Sequence, residues 1–137
     1  SALNTFIGAS AGRYSTTGGY STAVGASALA SNTGGSDGDY AVAVGYAALY
    51  SNQGGDYNTA LGAQALYYNT TASNNTAVGY QAGYSNTTGS GNTAVGYQAH
   101  YTGNTNTYNT AVGYQAGYSN TKGTYNVAIG SQALYTN

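Results

Sequence analysis

The chain has 137 residues, of which Arg13 and Lys122 are the only cations, Asp37, Asp39 and Asp56 the only anions and His100 the single histidine, for a formal net charge of −1. Two separated cations cannot neutralise a run of phosphates, which excludes nucleic-acid binding, and so few titratable groups give little from which to build a catalytic site, so we expect no enzyme. Cysteine is absent, which removes disulfides and thiolate metal sites, and no apolar run approaches the roughly 18 residues of a membrane helix.

Gly, Ser, Thr, Asn and Tyr dominate, and by composition alone the chain could be a disordered polar tract. Its strict period argues otherwise. Aligned on one glycine, eight repeats follow each other at Gly8, Gly25, Gly45, Gly62, Gly79, Gly96, Gly113 and Gly130, 17 residues apart except for 20 between Gly25 and Gly45. The three extra residues fall near 36–38, in the polar part of the repeat, where an insertion lengthens a loop without disturbing the periodic part. Residues 1–137 are thus expected to form one repeat array, a segment of a longer fibre.

Counting from that glycine as position zero, position −1 is aliphatic throughout: Ile7, Val24, Val44, Leu61, Val78, Val95, Val112 and Ile129. Position −3 is Thr in six repeats and Val42 or Val127 in the others, so −3 and −1 share one face, while Ala at −2 (Phe6 in the first repeat) points the other way. Position +3 is always Ala, including Ala82, Ala99 and Ala116, which implies close packing. Position +5 is Tyr at Tyr50, Tyr67, Tyr84, Tyr101, Tyr118 and Tyr135. Position +12 is Tyr at Tyr20, Tyr40, Tyr57, Tyr108 and Tyr125, and position +7 is Asn except at Ser15 and Gly103. Gly, Asn, Ser, Thr and Tyr disfavour helix, and β-branched residues at −3 and −1 favour strand. Two short strands per repeat, near −4 to +1 and +2 to +6, joined by a polar bend from +7 to +11, predict an all-β parallel solenoid of eight coils. Successive coils then lie about 4.8 Å apart and like side chains form ladders, Tyr ring on Tyr ring and Asn amide to Asn amide. The aliphatic residue at −1, the alanines and an occasional Leu would supply a thin core, and thin cores need partners or stacking to offset chain entropy.

The phrase Asn92-Thr93-Ala94-Val95-Gly96-Tyr97-Gln98-Ala99, with Asn126-Val127-Ala128-Ile129-Gly130 and Tyr40-Ala41-Val42-Ala43-Val44-Gly45, resembles the YadA-like head repeats of trimeric autotransporter adhesins. The resemblance spans all eight repeats. It implies a left-handed parallel β-roll, three chains side by side, and an extracellular, cell-surface or virion fibre. Adhesion in that family is spread over a surface, so no binding residue is transferred.

The remaining candidates are local. Asp37, Asp39 and Asp56 come together if the coils stack, and with backbone carbonyls they could hold Ca²⁺; the alternative is solvated loop charge. His100, without an acidic or Cys neighbour, reads as drift at a tolerant position rather than as a ligand. Asn69, Asn74 and Asn86 begin Asn-x-Thr sequons, which also arise by chance in such a composition. Thr columns at −3 and +8 suggest an ice-binding face, against which stands the pairing of −3 with an aliphatic −1. The Tyr columns could stack on sugars, although packing coil on coil is their simpler role. Together these features point to an extracellular structural and adhesive fibre that self-associates, as a homotrimer or end to end, and meets a glycan or matrix ligand. The alternatives are a mechanical filament or phage tail-fibre shaft, and an ice-binding solenoid.

Overall fold

A computed structural model describes residues 3–15, 19–33 and 40–136. Each repeat places one three-residue strand in a single parallel sheet: β1 (Thr5–Ile7), β2 (Thr22–Val24), β3 (Val42–Val44), β4 (Thr59–Leu61), β5 (Thr76–Val78), β6 (Thr93–Val95), β7 (Thr110–Val112) and β8 (Val127–Ile129). The strand order is the chain order, and the register is the repeat register, Thr76 opposite Thr93, Ala77 opposite Ala94, Val78 opposite Val95. The described residues form no helix. The chain is therefore a parallel β-solenoid, as the period predicts.

The expected second strand, +2 to +6, is instead a turn segment that keeps coil-to-coil hydrogen bonds. Positions +2 and +4 have left-handed backbone in coil after coil, as at Gln98 (φ 50°) and His100 (φ 52°), and alternation of left-handed residues with others prevents a continuous pleat. The amides still reach neighbouring coils: Gln98 N donates to Tyr80 O of the coil before, and His100 N to Ala116 O of the coil after. Only Ser119 and Thr136 form an isolated parallel bridge there. The loop insertion at 36–38 lies outside the described residues.

The core also differs from expectation. Strand alternation puts Ala −2 inside, and Ala23, Ala43, Ala60 and Ala77 meet Ala28, Ala48, Ala65 and Ala82 of position +3 in one fully buried cluster with Leu29, Leu49 and Leu66. The aliphatic −1 residues face outward, so that Val78, Val95 and Val112 are half-exposed and Leu61 is 45 % exposed. The interior is too narrow for a large side chain on both walls: where −2 is Phe6, +4 is Gly12, and an added Cβ there would collide with the Phe6 ring.

The glycine column is a steric requirement. At Gly96 the backbone has φ +134°, which L side chains rarely adopt, and a Cβ there would overlap the carbonyl of Gly113 in the next coil. Gly96→Ala is expected to lower the unfolding free energy by about 2 kcal/mol or more. Gly54→Ala, where an added Cβ meets nothing within 4 Å, should change it by no more than about 0.5 kcal/mol. Urea melts of the two variants check the contrast.

Candidate functional surface

Two asparagine columns line the polar part of the interior. At +7, Asn69 Nδ2 donates to Asn52 Oδ1 at 2.8 Å and Asn86 Nδ2 to Asn69 Oδ1 at 3.0 Å, while the same nitrogens close their own bends on Ala72 O and Gly89 O. At −4, which sequence reasoning missed, Asn58, Asn75, Asn92 and Asn109 each accept the backbone N–H of the next coil's Asn, at 2.8–3.0 Å. A glutamine column, also missed, runs along +2: Gln81, Gln98, Gln115 and Gln132 each donate through Nε2 to the preceding Gln, at 2.9–3.3 Å. Recurrence of Asn at −4 in six repeats and of Gln at +2 in five was the signal that could have found them.

The tyrosine ladders expected at +5 and +12 are present. Tyr50, Tyr67, Tyr84, Tyr101, Tyr118 and Tyr135 stack with ring centroids 5.0–5.4 Å apart, as do Tyr20, Tyr40 and Tyr57, and Tyr108 with Tyr125. A third column at +1, not foreseen, stacks Tyr80, Tyr97 and Tyr114 at 5.4 Å. It stands beside the +5 column: burial, with the nearby phenols of Tyr50, Tyr68 and Tyr46, raises the pKa of Tyr67, and burial with Tyr101, Tyr135 and Tyr97 raises that of Tyr118. Burial and a hydrogen bond with Tyr68 push Tyr84 up to about 12. Rings stacked face to face offer solvent their edges and hydroxyls, so sugar stacking on a ring face is confined to places where a ladder stops.

The other candidates separate on inspection. Asp37 and Asp39 lie outside the described residues; Asp56 donates its backbone N–H to Ser73 Oγ, and no group of three or more His, Cys, Asp or Glu comes together among the described residues. Asn69 and Asn86, 0 % and 1 % exposed, hold interior ladder positions, and a glycan on either would require opening the coil; Asn74 alone of the three sequons is exposed, at φ 62°. At +8, Thr70 and Thr87 use their hydroxyls on backbone carbonyls of the next coil, whereas Thr76, Thr93 and Thr110 of position −3 stand on the outer face of the sheet. No helix among the described residues is long and apolar enough to cross a membrane. Comparison of the chain with family models, curated proteins and solved structures finds no match.

His100 is buried in the core at +4, and both of its ring nitrogens lack a hydrogen-bond partner. Its ring occupies room left by Gly103, where a side chain would collide with Nε2. The same glycine interrupts the +7 ladder and leaves Asn86 Oδ1 without a donor. Burial lowers the His100 pKa to about 4. Because the folded pKa lies below the unfolded value of about 6.5, the unfolded chain binds the extra proton. Stability is then full above pH 6.5 and falls as pH drops toward 4, by roughly 3 kcal/mol from this residue. Urea melts from pH 7.5 to 4 are expected to show that slope in the native protein and to lose most of it in His100→Leu, since Leu fills position +4 in four other coils. In a second measurement at pH 7.5, Asn69→Ala, which removes the ladder bonds to Asn52 Oδ1 and from Asn86 Nδ2 and leaves each with a single remaining partner, should lose about 2 kcal/mol.

Proposed function

We propose that the chain is a non-catalytic segment of an extracellular fibre, on a cell surface or a virion, that attaches by many weak contacts repeated along its length. The observation that carries this reading is the registry of outward columns: Tyr stands at +1 in four coils and at +12 in five, and Thr or Val at −3 on the sheet face in all eight. Identical sites one coil apart gain by multivalency what each lacks in affinity. A glycan or matrix protein with its own repeat is the matching partner, meeting mostly tyrosine hydroxyls and ring edges.

Self-association is part of the proposal. The aliphatic −1 column, with Ile7, Leu61 and Ile129 its exposed members, runs uncharged along the sheet beside the exposed Val42 and Val127 of position −3, and in-register copies could cover this face against one another. With the YadA-like resemblance, this favours three left-handed rolls side by side, or a filament joined end to end. A shaft with a purely mechanical role, as in a phage tail fibre, is the second reading, favoured by the interior amide ladders. The outward Thr76, Thr93 and Thr110 give some support to an ice-binding face, and the engaged hydroxyls of Thr70 and Thr87 give none.

Sedimentation at increasing concentration, followed by a screen of the assembled form against immobilised glycans and matrix proteins, tests the proposal. Concentration-dependent assembly is expected, together with ligand capture that weakens by a factor of ten or more when the repeat number is halved. A monomer that captures nothing sinks the adhesive reading, and thermal hysteresis in that monomer would move the assignment to ice.

A further inference from the structure

Ten tyrosines line two adjacent columns, +1 and +5, and the +1 column is missing one rung. Tyr46 and Tyr80 belong to coils on either side of Ala63, whose methyl group stands where both neighbours carry a phenol. Two coil rises separate the Tyr46 and Tyr80 positions, about 10 Å at ordinary strand spacing. That is two stacking distances, the room one aromatic ring needs to lie between two others. Among the described residues Tyr46 stacks on no other ring, and it is 60 % exposed, whereas Tyr80, at 44 %, has Tyr97 on one face and its other face toward the missing rung.

The surroundings suit a neutral ring. Tyr67, in the same coil as Ala63, occupies the neighbouring column beside Tyr46. Gln64, one residue along, heads the glutamine ladder: its Oε1 accepts from Gln81 at 2.9 Å, but the preceding coil has Ala47 at +2, so its Nε2 has no glutamine to donate to. Neither Lys nor Arg nor a carboxylate occupies position +1, +2 or +5 in these coils.

We propose that the break in the tyrosine ladder at Ala63 is a binding slot for a single neutral planar aromatic ring of the phenol or indole type, sandwiched between Tyr46 and Tyr80, with the Gln64 amide placed to donate to a polar substituent. The slot depends on coil registry alone and stands whether or not the fibre is adhesive. Tyr114, whose next coil carries Ser131 at +1, has one free face and should bind the same ring far more weakly.

Titration with indole, followed by proton NMR of the tyrosine rings, tests the slot. Saturable upfield shifts are expected at Tyr46 and Tyr80, with an apparent affinity at least fivefold tighter than at Tyr114. Ala63→Tyr fills the missing rung with a residue the column already accepts at four positions; it should fold and abolish those shifts. Tyr80→Ser, removing one wall, should weaken binding to the level of Tyr114. Equal shifts at Tyr46, Tyr80 and Tyr114, or binding that persists in Ala63→Tyr, would overturn the proposal.

Discussion

Parallel strands at hydrogen-bonding distance bring each residue against its own equivalent in the coil above and below, and everything else in this structure answers to that constraint. A column is tolerated only if its residue is compatible with itself at about 5 Å. Charge fails that test, which accounts for a chain with five formal charges. Asn, Gln and Tyr pass it, because an amide both donates and accepts and a ring can stack on a ring. Glycine at position zero passes for a different reason: its backbone runs too near the next coil for any Cβ.

Within that frame the interior divides into two materials. On one side Ala faces Ala, with Leu or Gly filling the remainder, so apolar burial per coil is small. On the other, buried Asn residues are bonded to the coil below and to their own bends. Such an interior tolerates little local variation. Where His100 replaces the usual Leu or Gly, the next polar column has lost its side chain at Gly103, and an amide oxygen of Asn86 is left unpaired. One exchange in the apolar half has thus been accommodated by another in the polar half.

Much of this was legible in the residues. The spacing of Gly8 through Gly130 fixes coil number and registry, and the +5 and +12 tyrosines read directly as ladders because recurrence alone implies stacking. What could not be read was direction. The −3/−1 pair and Ala −2 alternate, but alternation does not say which face is inside; the rule that aliphatic residues face the core fails here because the larger core side chains enter from +4, which leaves the strand wall of most coils room for only a methyl group. The missing second strand has a similar cause: Gln and Leu at +2 and +4 carry no mark of left-handed backbone, which is imposed by the closing of a 17-residue turn. The −4 asparagines were overlooked because Asn is common throughout, and their role depends on a bond to a backbone amide that no pattern displays.

The three amide ladders share one more property. In each, the later coil donates and the earlier coil accepts, whether the donor is the Asn side chain at +7, the Gln side chain at +2 or the main-chain nitrogen at −4. Bonds in the opposite sense run beside them: the main-chain nitrogens of positions −3, +4, +6 and +8, the Thr70 and Thr87 hydroxyls and the Asn92 side-chain amide donate to the later coil. Each ladder nevertheless has a sense of its own, because amides that donate only backward and accept only from ahead make the two directions along the axis chemically unlike. A further coil can therefore extend these ladders only in the chain's own direction, since an inverted copy would set donor against donor or acceptor against acceptor.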